Sequence, residues 1–413
     1  MSVIFKQNNL TIMFKFGLSK KFDIRRLIHK TSCNKDSNNI NVTENLAKAN
    51  RIWETCFWGG CENDIKIKDY EDTSLLTLDR PDSLNSLTPG ICKIINENLQ
   101  KWKSSKKLII IEGSGDKAFC TGGYLKMPHA YRGIQTEHYE WNKLKTFQEY
   151  YSLGYNIGTL KVPFVALMNN VVMGLGSALS LQAKYRIVTE RSIYAMPEVA
   201  IGYFPDGTAC YTFPRLQNHI GHLLGITGYK LKGIDIVHSG IASHFVPSDK
   251  LEDLKYELIK FNGSNIEEII NKYHVNNSSN NFSLNPYIDI IENCFSAPTV
   301  EEILERLKKD DSKWSQKLIK MINFASPTSL KLSLLIIQRG KGLDLADCAR
   351  MDFRMGYRLL SYGSDMFEGI HTFFGYNKKP QWNPPCLEDV TMDKVKSYFD
   401  NLPPEKELKL SNS

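Results

Sequence analysis

No stretch of the 413-residue chain reaches the ~18 uninterrupted apolar residues that a membrane span needs. Cysteine is sparse: nine residues, scattered from Cys33 to Cys386, form no disulfide framework, a usage that fits a reducing compartment. Cys56 and Cys61 stand five apart without a second pair nearby, so the spacing of a zinc site is missing. His219 and His222 have no acidic or cysteine partner in sequence, and read as packing or surface groups. There is no internal repeat. The fractions of hydrophobic (42%) and charged (23%) residues are ordinary and exclude a disordered, collagen-like or coiled-coil chain.

Acid is almost absent from the first 35 positions, where eight Lys and Arg face a single Asp23. That segment carries +7, the whole net charge, so the other 378 residues sum to zero. A basic, acid-poor start with apolar runs such as Leu10–Phe16 has the composition of a mitochondrial transit peptide. A neutral remainder gives no basic footprint for direct nucleic-acid binding.

Residues 36–63 read as a linker, with order expected from about Asp64. There Ile65–Lys68 and Ser74–Leu78 alternate at period two around Asp72-Thr73, a hairpin pattern. Thr88-Pro89 is a helix start, followed by an apolar face through Trp102. Leu108–Glu112, Val162–Met168 and Tyr185–Val188 are buried-strand runs between helical patterns, which predicts an α/β fold with a largely parallel sheet. From about residue 251 helical patterns dominate: Val300–Lys309, Ser329–Arg339 and Leu343–Leu360. Asn276–Asn281 reads as an exposed low-complexity loop and 386–413 as a tail.

Three segments carry chemistry. Lys117–Gly123 runs a strand into two glycines, which lets backbone N–H groups approach a ligand. Met173-Gly174-Leu175-Gly176-Ser177 places glycines before the helical run Ala178–Lys184, where free N–H groups favour an anion. Glu198 and Asp206, both flanked by apolar residues, are candidates for carboxylates with raised pKa values.

Taken with Leu78–Pro81, Leu84–Leu87, Arg186–Glu190, Pro214–Leu216, Thr227-Gly228 and Gly240–Val246, their order resembles the crotonase (enoyl-CoA hydratase/isomerase) superfamily. Cys294–Ser296, Ser326–Lys331 and Phe367–Gly369 are similar to its 3-hydroxyisobutyryl-CoA hydrolase branch. The resemblance spans about residues 64–385 and implies a core of repeated ββα units over 64–250, with a helical region over 251–385. It implies that the N–H groups of Gly123 and Leu175 hold a thioester oxyanion. Glu198 would then serve as nucleophile or general base, with Asp206 orienting water or the substrate hydroxyl. Ser83 and Asn85 would lie along CoA, and Glu149 near the substrate. No metal or redox cofactor is implied, since CoA enters with the substrate.

The activity implied is hydrolysis of 3-hydroxyisobutyryl-CoA, or a related short hydroxyacyl-CoA, in mitochondrial valine breakdown. Departures from the family pattern surround that site. Tyr124 stands where an Asp is usual, Leu175 replaces a glycine, Gly207-Thr208-Ala209 replaces Val-Gly-Gly, and His371 replaces an arginine. Ala178 stands where hydratases carry an acid, which excludes the two-glutamate hydration route. The alternative reading is a degenerate relative serving in the small mitochondrial ribosomal subunit. Expected partners are an acyl-CoA, a second copy of the chain or, in that alternative, mitochondrial ribosomal proteins.

Overall fold

A computed structural model describes residues 42–57, 63–130, 136–263, 265–276, 282–361, 363–377 and 379–410. The expected leader over 1–35 and most of the loop at Asn276–Asn281 lie outside the described residues. The strands are β1 (Ile65–Asp69), β2 (Thr73–Leu78), β3 (Leu108–Gly113), β4 (Ala118–Cys120), β5 (Phe164–Met168), β6 (Val171–Met173), β7 (Tyr185–Val188), β8 (Ile193–Ala195), β9 (Leu231–Lys232) and β10 (His244–Phe245). They make a six-stranded sheet in the order β1-β2-β3-β5-β7-β10 and a four-stranded one, β4-β6-β8-β9.

In the larger sheet only the β1–β2 hairpin is antiparallel. Its central strands are apolar on both faces because both are covered. Leu76, Leu78, Ile109 and Ile111 point into the main core. Their neighbours Leu75, Leu108 and Ile110 point the other way, into a second core closed by Leu254, Leu258 and Ile270. After β3, β5 and β7 the chain steps across to β4, β6 and β8, so one corner recurs three times. This is the repeated ββα core expected from the resemblance.

Helix α1 (Val42–Phe57) occupies part of the stretch expected to be a linker. Ala49, Trp53 and Cys56 are its buried positions, spaced as one helical face, and Trp53 Nε1 donates to Thr146. The described part of the expected tail, 386–410, is likewise docked: Val395, Phe399 and Leu408 are buried in the main core. Helix α2 (Pro89–Trp102) begins at the expected proline, with the Thr88 hydroxyl capping Ile91 N. α3 (Lys126–Ala130) and the long α4 (Glu137–Gly158) come next. In the C-terminal part α5 (Pro327–Gly340), α6 (Leu345–Leu359) and α7 (Asp365–Phe373) pack back onto the core, with α6 lying against α4. Among the described residues no helix is long and apolar enough to cross a membrane.

The loop from β2 to α2 is fixed by Asn85, which is 1% exposed and has a φ of 54°. Its Oδ1 accepts from Arg80 N at 2.9 Å, and its Nδ2 donates to the carbonyls of Ser114 (2.9 Å) and Ala118 (2.8 Å). All of its side-chain bonds go to backbone, so the Asn85 side chain is a structural tie. Asn85→Ala is expected to destabilise the protein by about 2 kcal/mol or more, since it strips buried backbone groups of their partner. Urea unfolding of the two proteins measures this, and an unchanged midpoint would refute it.

Candidate active site

The parallel pairing of β4, β6 and β8 sets their C-terminal ends side by side. The segments leaving these strands are therefore gathered at one place: Gly122-Gly123 after β4, Gly174-Leu175 after β6, and Pro197-Glu198 after β8. A cavity of about 280 Å³ opens there, with Gly123, Leu175, Glu198 and Asp206 in its wall. Its apolar side comes from Tyr150, Ile201, Met366, Phe373 and Phe374, so the C-terminal helical region closes one flank.

The two glycine segments meet closely. Gly122 has a φ of +97°, and a Cβ there would stand 3.1 Å from Leu175 N. Leu87 N donates to the Gly122 carbonyl (2.8 Å) and Tyr124 N to the Leu87 carbonyl (2.9 Å), which pins the Gly123 peptide between them. The segment after β6 is itself a 3-10 helix, Gly174–Leu179, and the α-helical run expected over Ala178–Lys184 does not form. Leu175 N lies in its first turn, where no carbonyl of the same helix can reach it. The left-handed residue is Gly174 (φ +54°), whereas Leu175 is not among the residues of positive φ. The leucine in place of a glycine therefore costs no backbone strain, and its side chain simply lines the cavity.

Glu198 opens a 3-10 turn and is 6% exposed. A Cβ on Gly174 would lie 2.8 Å from Glu198 Oε1, which sets this carboxylate directly beside the second glycine segment. Burial, reinforced by the charge of Asp206, holds its pKa well above the usual carboxylate range. Asp206, also 6% exposed, is pushed up to about 7 by burial, against the hydrogen bond it accepts from Tyr151 Oη at 3.2 Å. The Tyr151 and Tyr203 hydroxyls are 2.5 Å apart. Two buried carboxyls with raised pKa values beside the Gly123 and Leu175 peptides form an arrangement suited to proton transfer at a carbonyl.

Ser83 lines the mouth of the cavity, whereas Asn85, tied to backbone on all sides, does not. Glu149 is also displaced from its expected place. It sits in the α2–α4 interface, where Asn96 Nδ2 donates to its carboxylate and to its carbonyl, each at 3.0 Å. Tyr150 faces the cavity in its stead and donates to the Leu87 carbonyl at 3.1 Å. Tyr124 lies under the Arg80 guanidinium, 4.8 Å from the ring centroid, so the arginine beside the substituted acid is held by a ring face and by Asp64. His371 stands with Nδ1 3.4 Å from His129 Nε2 and stacks on Tyr376. Ala178 is fully buried, and a Cβ on Gly207 would come within 3.1 Å of it.

Sequence reasoning missed Tyr151, Tyr203 and Asp352. Asp352 is fully buried on α6 and accepts from Thr208 N at 2.8 Å. Among the described residues no three His, Cys, Asp or Glu side chains are placed to hold a metal ion.

Strand order, corner repeats and a cavity at the ends of β4, β6 and β8 define the crotonase fold, and the chain belongs to the enoyl-CoA hydratase/isomerase family, whose pattern matches residues 73–399. It is similar to 3-hydroxyisobutyryl-CoA hydrolase, mitochondrial, from Gallus gallus, with 36% identity over 84% of this chain and 92% of that one. The protein of the same name from Homo sapiens is 37% identical over 80% of this chain and 86% of its own. Among solved structures, a carnitinyl-CoA dehydratase from Mycobacterium thermoresistibile superposes with a TM-score of 0.78 at 27% identity, covering 85% of this chain and 99% of that one. An enoyl-CoA hydratase from Rhodobacter sphaeroides gives 0.76 at 28% identity, over 84% of this chain and 100% of that one.

The junction of the two glycine segments makes a direct prediction. Gly122→Ala forces a Cβ into a left-handed residue against Leu175 N, and is expected to destabilise by about 1 kcal/mol or more. Gly342→Ala, with nothing within 4 Å of its new Cβ and no positive φ, is expected to stay within about 0.5 kcal/mol of the parent. Equal unfolding midpoints for the two variants would contradict this geometry.

Proposed function

We propose that the chain hydrolyses the thioester of 3-hydroxyisobutyryl-CoA, or of a closely related short hydroxyacyl-CoA, in the mitochondrial matrix, as a step of valine breakdown. The observation that carries this reading is the pair Glu198 and Asp206 in one cavity wall beside the Gly123 and Leu175 peptides. It occurs in a chain similar over four fifths of its length to proteins named for that hydrolysis. Ala178 at the hydratase acid position favours hydrolysis over hydration. The ribosomal alternative has no support: the relatives carry a hydrolase name, and both carboxylates line the cavity.

Water adds to the thioester carbonyl carbon as Glu198 takes its proton. The carbonyl oxygen becomes an oxyanion and is met by the N–H groups of Gly123 and Leu175, donors typically worth ~10²–10³ in rate each. The C–S bond then breaks, the proton passes from Glu198 to the leaving sulfur, and a carboxylic acid and CoA depart. In the nucleophilic variant Glu198 itself attacks and water opens the resulting anhydride; both routes use the same carboxylate. A buried carboxyl with a raised pKa is the stronger base once ionised, which suits either role. Asp206, held by the Tyr151 hydroxyl, orients water or the substrate hydroxyl.

The test is release of CoA from 3-hydroxyisobutyryl-CoA, followed with a thiol reagent. Glu198→Gln is expected to abolish release while leaving thioester binding nearly intact, and Asp206→Asn to cut turnover strongly. Glu198 must lose the proton that burial and the neighbouring Asp206 hold on it, so the rate should rise with pH through a midpoint well above the ordinary carboxylate range. A rising limb at the ordinary carboxylate value of ~4.5, or full activity in both variants, would refute the assignment.

The composition of residues 1–35 and the names of the relatives support a mitochondrial address. N-terminal sequencing of the protein recovered from mitochondria is expected to begin beyond residue 35. An intact Met1 there would refute a cleaved leader.

A further inference from the structure

Directly after Asp206 the backbone takes two left-handed residues in succession, Gly207 (φ 62°) and Thr208 (φ 67°). For Gly207 this is free; for a β-branched threonine it is strained and persists only if its surroundings enforce it. The enforcement is visible. Thr208 N donates to Asp352 Oδ2 at 2.8 Å, and Thr208 Oγ1 accepts from Gln182 Nε2 at 3.1 Å and donates to the Gly207 carbonyl at 2.5 Å. On α4, Gly154 leaves just the space the threonine fills, since a Cβ there would stand 2.8 Å from Thr208 Cγ2.

Asp352 and Gly356 are four apart on α6 and so share a face. A Cβ on Gly356 would lie 2.5 Å from Tyr151 Oη and 2.6 Å from Tyr203 Oη. One face of a C-terminal helix therefore meets both supports of Asp206: the turn directly after it, and Tyr151, which bonds it, together with Tyr203, which bonds Tyr151. Asp352 itself is outside the cavity wall.

We propose that Asp352 is a positioning residue for Asp206, holding the Gly207–Thr208 turn in its left-handed form so that the Asp206 carboxyl enters the cavity at a fixed angle. This rests on the hydrolase reading for the role of Asp206. The titratable groups facing Asp352 are Asp206, Tyr151, Tyr203 and the Cys210 thiol, and none of them is a cation. Burial pushes its pKa up to about 8, so at neutral pH it bonds Thr208 as an uncharged acid.

An amide presents the same oxygen to Thr208 N–H, whereas a leucine fills the space without an acceptor. With 3-hydroxyisobutyryl-CoA, Asp352→Asn is expected to keep kcat within about threefold of the parent. Asp352→Leu is expected to lose about tenfold or more in kcat with KM little changed, the mark of a misaimed group rather than lost binding. Adding Thr208→Gly to the leucine variant should recover much of that loss, because glycine holds a positive φ without an anchor. The proposal is overturned by a leucine variant with parental kcat, by an asparagine variant as slow as the leucine one, or by no recovery in the double variant. Should the leucine variant not fold, Asp352→Ala, which also lacks an acceptor for Thr208 N, takes its place with the same expectations.

If the parent cleaves no thioester at all, the hydrolase reading fails independently and the placement is read by titration. In carbon-13 aspartate-labelled protein the Asp206 resonance, assigned with Asp206→Asn, should titrate at the parent's midpoint in Asp352→Asn and at a displaced one in Asp352→Leu. A midpoint unmoved by leucine sinks the proposal.

Discussion

Three strands of three residues each, β4, β6 and β8, pair in parallel, and the whole site depends on that pairing. Each is reached by the same short step from the larger sheet, so their ends are in step and the loops beyond them converge. The register Met173↔Ala195 is what brings Glu198 against Gly174. A slip of one residue would turn each side chain to the opposite face and separate the acids from the glycine peptides.

The departures from the family pattern take on a different meaning inside this geometry. Leu175 needs no left-handed backbone because Gly174 supplies it. Tyr124 gives Arg80 a ring face to rest on, while Asp64 pairs with its guanidinium. Thr208 occupies a conformation that glycine adopts freely, and Asp352, Gln182 and the space above Gly154 hold it there. Each substitution, taken alone, has the look of damage to the pocket; each has a neighbour in space that accommodates it.

Which parts were legible in sequence depends on how local their causes are. The strands of the large sheet announced themselves as short apolar runs, and Thr88-Pro89 marked a helix start by local chemistry. Glu198 and Asp206 stood inside recognisable segments. Glu149 was misplaced for a helical reason: a shift of one residue along α4 rotates a side chain by about 100°, and Tyr150 faces the cavity instead. Helix α1 escaped because its apolar face is only a few residues wide, although Ala49, Trp53 and Cys56 have the spacing of one. Asp352 left no local mark, since its partner Thr208 is 144 positions away and only the packing of α6 on α4 brings them together.

Three carboxyls, Glu198, Asp206 and Asp352, are buried within one neighbourhood, and each binds its proton more tightly in the folded chain than in the unfolded one. A folded-state pKa above the unfolded value stabilises fully below the unfolded value, about 4, and that stability is lost as pH rises through the folded values near 7 and 8. The ionisation that the proposed chemistry asks of Glu198 is thus the same event that removes its stabilising contribution to the fold.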